Sequence, residues 1–520
     1  MGIFGQPKPV NPYTTEGFYI GSPEAEAEAN TNQIKLGEVF SDFTGAMDKL
    51  RGDHFIVIGR KGTGKTAIAE TLRARAKDEA NSFCSFQQLQ YEYVFEKGLR
   101  NKAISREQVP ILMDWICYIQ LAKLLCRKTN SVLHEKAHGH LEKFLHINAG
   151  YVDLTDFQVD SIEKNKGFKL DITHFKRLFQ LIFDRQSQIK STRATYDRLL
   201  PSLKLAVTDL LTSEAERKQG NEYILLFDDL DIGVKASDED AMFVILTLIR
   251  RAKEINNELF KRRGVPGKVI VFLRDDIAKH LGNGYADSAK IFSSYGAELN
   301  WFEQTPDVNY RIQDLRLKRF IDKRIERNLA GRPIPRAETP WDTLIGSFLD
   351  EKSTFIRLLD RTYCTPRDFI LFFAPLNEYK LQLPINRHGF DKLMLRYATE
   401  RLRELNNEMA FVFDKQTKAT VMSTLRDVVV SRKGKRTPNY SFAYDELYSR
   451  LSKALPEENT ADFIETLFDY SVIGNLLTLD DGYRPRFKHR EPRGEFYSLD
   501  EDERLVCHMS VEMAFLKFVR

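Results

Sequence analysis

Eight consecutive residues, Gly59-Arg60-Lys61-Gly62-Thr63-Gly64-Lys65-Thr66, constrain this chain more than any other part of it. They satisfy G-x-x-x-x-G-K-[ST] at every fixed position. Phe55-Ile56-Val57-Ile58 precedes them as a short apolar, β-branched run, which reads as a buried parallel strand. Ala67, Ile68, Ala69 and Leu72 follow with the spacing of a helix. Glycines in such a turn let the backbone wrap an anion with its N–H groups pointing inward. The helix start adds a positive dipole end. The motif therefore predicts bound ATP, with Lys65 reaching the β- and γ-phosphates and the Thr66 hydroxyl on Mg²⁺.

Two further apolar runs resemble the first. Tyr223-Ile224-Leu225-Leu226-Phe227 ends at Asp228, and Val269-Ile270-Val271-Phe272-Leu273 ends at Arg274. Helical patterns such as residues 240–254 lie between them, so the chain reads as α/β with a parallel sheet covered by helices. Ligands bind at the carboxyl ends of such strands. Asp228 is thus expected to hold Mg²⁺ directly or through water, and Asp229 to polarise an attacking water. Asp231 is expected to cap or orient the following loop. Arg274 closes its strand, where it is expected to face the γ-phosphate or to make an ordinary salt bridge. Arg367, in Cys364-Thr365-Pro366-Arg367-Asp368-Phe369, falls in the first turn of a helix begun by Pro366. The helix dipole disfavours a cation there, so a partner is expected: a nucleotide phosphate or an ordinary salt bridge.

A chain of 520 residues is too long for one core. Residues 1–35 read as an N-terminal lead-in, 36–80 and 220–310 as the core carrying the phosphate loop, and 81–219 as a helical insertion. Residues 311–411 read as a helical lid. In 412–520, short helices precede a hairpin with its turn at Asp480-Asp481-Gly482, the pattern of a winged-helix-like unit.

GRKGTGKT, LLFDDLD, VFLRDD and TPRDF, in this order, resemble the AAA+/STAND branch of P-loop ATPases. The D-D-L-D ending is similar to KAP and STAND proteins, and T-P-R-D to the sensor-2 segment of origin-recognition-type AAA+ proteins. The resemblance to a prokaryotic P-loop ATPase family implies that Gly59, Gly64, Lys65 and Thr66 carry the phosphate-loop roles. Asp228 and Asp229 would carry those of Walker B, Arg274 of sensor 1 and Arg367 of sensor 2. It also implies a lid, a winged helix, a homo-oligomer or effector protein as partner, and a setting in phage defence. The sequence departs from the pattern in having Arg at sensor 1. Arg319, Arg324 and Arg327 are available as arginine fingers, with none assignable.

Weaker signals remain. His134-Glu135-Lys136-Ala137-His138 matches H-E-x-x-H, with His140 and His146 nearby, but Gly139 weakens the helix and Phe144 stands where a third histidine belongs. A solvated helix end is the preferred reading over Zn²⁺. Basic clusters at residues 432–436 and at Arg484, Arg486, Lys488, Arg490 and Arg493 suit the phosphates of DNA or RNA, or a solvated or protein-contacting surface. Lys and Arg number 78 against 74 Asp and Glu, which excludes domination by nucleic-acid electrostatics. Five cysteines without a C-x-x-C pair, and the lack of a signal or membrane-length apolar run, place the chain in the cytoplasm. Three readings follow: an ATP-hydrolysing switch, a nucleic-acid-binding protein whose ATP site licenses loading, and a non-hydrolysing scaffold.

Overall fold

The computed structural model describes residues 11–31, 36–88, 106–126, 196–216, 218, 220–230, 234, 238–285, 287–303, 311–346, 348, 354–432, 441–456, 459–479, 482–490 and 498–517. It divides into two bodies. A sheet body comprises 46–60 and 65–298, and a helical body comprises 1–45, 61–64 and 299–520.

The sheet body holds five parallel strands: β1 (Ile56–Ile58), β2 (Ser82–Gln88), β3 (Glu222–Asp228), β4 (Gly267–Leu273) and β5 (Gly296–Glu298). Their order is β2-β3-β4-β1-β5. Ile58 lies opposite Leu273, and Phe227 opposite Val271, so β1, β4 and β3 end along one edge. The middles of its central strands, Tyr223–Phe227 and Val269–Leu273, are apolar and buried.

β2 lies within 81–219, the stretch read from sequence as a helical insertion. It pairs with β3 from Ser82 to Gln88 and belongs to the sheet. The helices Val109–Cys126 and Tyr196–Glu216, from the same stretch, also pack in this body. Val109–Cys126 is apolar almost all round and correspondingly buried. Its one buried carboxylate, Asp114, takes Lys204 Nζ at 2.6 Å and Arg251 Nε at 2.7 Å and Nη2 at 2.6 Å. Three helices are thereby pinned through one charge. The middle of the insertion, including the H-E-x-x-H stretch with His140 and His146, lies outside the described residues, as do Asp231 and Arg493.

In the helical body, residues 11–31 of the lead-in are a strap on the helix Arg316–Leu329 and its neighbours. The Thr15 N–H donates to Leu381 O at 2.8 Å, and the Tyr19 N–H to Asn328 Oδ1 at 2.7 Å. Phe18 and Ile20 join Ile321, Ile325, Trp341 and Phe369 in one apolar core. Arg324 is buried against Glu28 at 2.8 Å and donates to Ile20 O. Arg327 pairs with Glu38, and the Arg319 guanidinium lies 5.1 Å from the Phe43 ring centre. The arginine-finger candidates Arg319, Arg324 and Arg327 are thus all engaged by the chain's own N-terminal segment.

The C-terminal part has the helices Lys415–Ser431, Tyr444–Ala454 and Thr460–Asp469, and then β6 (Ile473–Leu479), β7 (Gly482–Arg486) and β8 (Arg504–Cys507). The strands form an antiparallel sheet of order β7-β6-β8, and Phe442 bridges to Leu505. This is a winged-helix-like unit whose apolar core also takes in Tyr363, Leu405 and Met409 from the preceding part of the chain.

Removing one member of a buried ion cluster leaves the others uncompensated. Asp114→Ala is expected to destabilise the sheet body by about 3 kcal/mol, seen as an earlier transition in a urea titration. Arg324→Ala strands Glu28, and residues 11–31 are expected to become the first site of cleavage in limited proteolysis.

Candidate nucleotide site

The edge where β1, β4 and β3 end carries Gly59, Lys65, Thr66, Asp228, Asp229 and Arg274. β1 stops at Ile58, and the Gly59 N–H donates to Leu273 O at 3.2 Å, which holds the start of the loop against β4. Gly62 and Gly64 have φ of 86° and 97°, values that favour glycine and that turn the loop. The helix Lys65–Asp78 begins directly after. Lys65 Nζ folds back over the loop and donates to Gly59 O at 2.7 Å and Arg60 O at 3.1 Å.

Asp228 ends β3 and is 3% exposed. Its Oδ2 accepts from the Thr66 hydroxyl at 2.9 Å, across a sequence separation of 162 residues. Its Oδ1 accepts the Asp229 N–H at 2.9 Å. Asp229 adopts a left-handed φ of 56°, a conformation Asp tolerates better than most residues. A hydroxyl and a carboxylate this close, at a helix N-terminus beside an ammonium, form a donor set that fits a hydrated Mg²⁺ and a polyphosphate.

β4 stands between β1 and β3, so the residues after it enter the same edge. Arg274 precedes the helix Asp275–Gly284 and directs its guanidinium to Asp276, with Nε 3.1 Å from Oδ1 and Nη2 on Oδ2. Asp275 follows Arg274 in the VFLRDD segment, in which sequence assigns it no role. Burial raises its carboxyl above the ordinary value, while Arg60, Lys65 and Arg274 act to lower it. It is therefore a third carboxylate in the field of the loop cations.

The loop crest, Lys61–Gly64, groups with the helical body. The Trp301 indole N–H donates to Thr63 O at 2.8 Å, another contact the sequence did not announce. The Arg367 N–H donates to Gly62 O at 3.3 Å. A Cβ at Gly62 would lie 2.7 Å from Arg367 Cβ and 3.1 Å from Thr365 Oγ1. Arg367 lies in the first turn of the helix Pro366–Phe373, which is fixed by a capping box between Thr365 and Asp368. Its Nε is 3.0 Å from Glu404 Oε1.

Comparison with known proteins adds little. No family model and no curated protein matches. Three chains of solved structure match, one being Cdc6p from Pyrobaculum aerophilum. That chain is 12% identical, with 97% of each chain covered and a TM-score of 0.27. The sheet body has the P-loop nucleoside-triphosphatase fold. That conclusion rests on the parallel sheet, the loop after β1 and the carboxylate after β3.

The C-terminal unit presents mixed chemistry. The helix Thr460–Asp469 exposes Asp462 and Glu465 and carries no Lys or Arg. Tyr483 and Arg484 are exposed on β7, whereas Arg490 binds back to Asp360 O at 2.9 Å. Among the described residues, no group of three metal-ligating side chains occurs and no helix is long and apolar enough to cross a membrane.

The fit at Gly62 leaves no room for a side chain, and its φ adds strain. Gly62→Ala is expected to weaken ATP binding by about tenfold or more in equilibrium titration, with the thermal transition little changed.

Proposed function

We propose that this protein is an ATP-binding, ATP-hydrolysing switch of AAA+/STAND type that controls a partner or an assembly. One observation carries the reading: the Thr66 hydroxyl and the Asp228 carboxylate meet at 2.9 Å, at the carboxyl edge of a parallel sheet. In this reading residues 59–66 enclose the phosphates. Lys65 exchanges its two loop carbonyls for β- and γ-phosphate oxygens, and Thr66 and Asp228 hold Mg²⁺. Asp229 orients the attacking water. Arg274 and Arg367 sense the γ-phosphate, and Arg274 would have to leave Asp276 to do so.

The partner is read as a protein, a second copy of the chain or an effector. The acidic exposed face of the helix Thr460–Asp469 would repel a nucleic-acid backbone. A role in antiphage defence rests on the motif resemblance alone.

Phosphate release from ATP by the purified protein tests the proposal. Lys65→Ala is expected to abolish both ATP binding and turnover. Asp229→Asn is expected to keep ATP affinity but to slow turnover on the order of a hundredfold. Tight binding by the wild-type protein without turnover, alone or with DNA, would reject the hydrolytic switch in favour of an ATP-stabilised scaffold. Stimulation by DNA that fades steeply with salt would reject a protein as the controlling partner.

A further inference from the structure

We infer that Asp276 withholds Arg274 from the γ-phosphate until ATP displaces it, and so sets how far the site separates ATP from ADP. The inference rests on reading Arg274 as a γ-phosphate ligand, and every residue it uses belongs to the sheet body. The Gly59 N–H donates to Leu273 O, so Arg274 follows directly on the residue that holds the start of the phosphate loop. Burial raises the Asp275 carboxyl, and Arg60, Lys65 and Arg274 act against it, which places these three cations in the field of one carboxylate. The main chain of Arg274 is held between β4 and the helix Asp275–Gly284, and its carbonyl accepts the Ala278 N–H at 2.9 Å. The side chain alone is left to change partners.

In the structure that side chain takes Asp276. Arg274 Nε donates to Oδ1 at 3.1 Å and Nη2 donates to Oδ2, a two-pronged contact between planar groups. The two side chains are 13% and 22% exposed, so solvent screens the pair less than a surface one. Lys65 donates instead to two neutral carbonyls, Gly59 O and Arg60 O. An anion draws an ammonium from carbonyls more readily than it draws a guanidinium from a carboxylate. Lys65 can therefore answer to the β-phosphate that ATP and ADP share, whereas Arg274 needs the added charge of the γ-phosphate. The exchange does not strand Asp276. It lies in the first turn of the helix, where the dipole favours a carboxylate, and its Oδ1 also accepts the Ile277 N–H at 2.9 Å. Contact of Arg274 with a γ-phosphate is thus an exchange between two tenable states, and the bond to Asp276 is subtracted from ATP affinity alone.

Asp276→Asn tests this, because it removes the charge and keeps an oxygen for the Ile277 N–H at the helix start. Kd values for ADP and for the β,γ-imido analogue of ATP are measured with Mg²⁺ for the wild-type protein, Asp276→Asn, Arg274→Ala and the double variant, beside their thermal transitions. Expected for Asp276→Asn are binding of the ATP analogue about fivefold tighter and ADP affinity within about twofold of the wild-type value. In the Arg274→Ala background the same substitution should change either affinity by no more than about twofold. Weaker or unchanged binding of the ATP analogue in Asp276→Asn, with Arg274→Ala weakening it, overturns the withholding role alone. Tightening of both nucleotides that persists in the Arg274→Ala background shows plain repulsion between Asp276 and the phosphates, and also overturns it. If Arg274→Ala changes the affinity for the ATP analogue in neither background, the reading of Arg274 as a γ-phosphate ligand fails, and the role of Asp276 fails with it.

Discussion

A hydroxyl and a carboxylate can meet at 2.9 Å across 162 residues only if the strands that present them are held in register. Thr66 and Asp228 depend on β4, which lies between β1 and β3 and bonds to both. The apolar character of these strands follows from that requirement. A parallel sheet with helices on both faces has no wet side, and every residue from Tyr223 to Phe227 is buried. The polar residues begin where the sheet ends, with Gly59, Asp228 and Arg274. Fold and site share one boundary, and a strand slipped by one residue would exchange Asp228 for a core side chain.

The helical body uses charge differently. Its N-terminal strap is fastened by Arg324 and Glu28, both buried, and by paired amide contacts between Tyr19 and Asn328. A buried ion pair contributes little net stability against an apolar alternative, but it admits few other arrangements. Arg324 also donates to Ile20 O, so the pair sets the register of the strap as well as its presence. Of the other arginines in the helix Arg316–Leu329, Arg327 pairs with Glu38 and Arg316 with Glu303.

What could be read from the sequence follows from what is local. The phosphate loop and the strands at 55–58, 223–227 and 269–273 were legible because apolar runs bounded by Gly, Asp and Arg admit few other meanings. β2 was not, because Ser82-Phe83-Cys84-Ser85-Phe86-Gln87-Gln88 is an edge strand with the composition of a loop. β5 has three residues and no apolar run. The strap was missed because its partners lie some 300 residues away in the chain, as with Tyr19 and Asn328 at a separation of 309. In the site, Gly59 to Thr66 and Asp228 follow a motif, whereas the Trp301 contact to Thr63 O is made only by the fold. The hairpin of the C-terminal unit was marked by Gly482, but β8 was not foreseen.

Arg367 shows how a local rule and a tertiary contact combine. A cation in the first turn of a helix opposes the dipole, and the rule asks for a compensating anion. Two carboxylates meet that demand. Asp368 closes the capping box with Thr365 and accepts the Tyr397 hydroxyl at 2.8 Å, and Glu404 meets the guanidinium itself. The same carboxylates face Arg401, whose guanidinium lies over Tyr363. Tyr363 in turn donates to Ser471 O at 3.1 Å and stacks on His508 at 4.2 Å, both in the C-terminal unit. Contacts therefore run from Arg367 to the winged-helix-like sheet within this body. The chain thus joins the phosphate-loop crest to its C-terminal unit through four side chains, Arg367, Glu404, Arg401 and Tyr363, within one body.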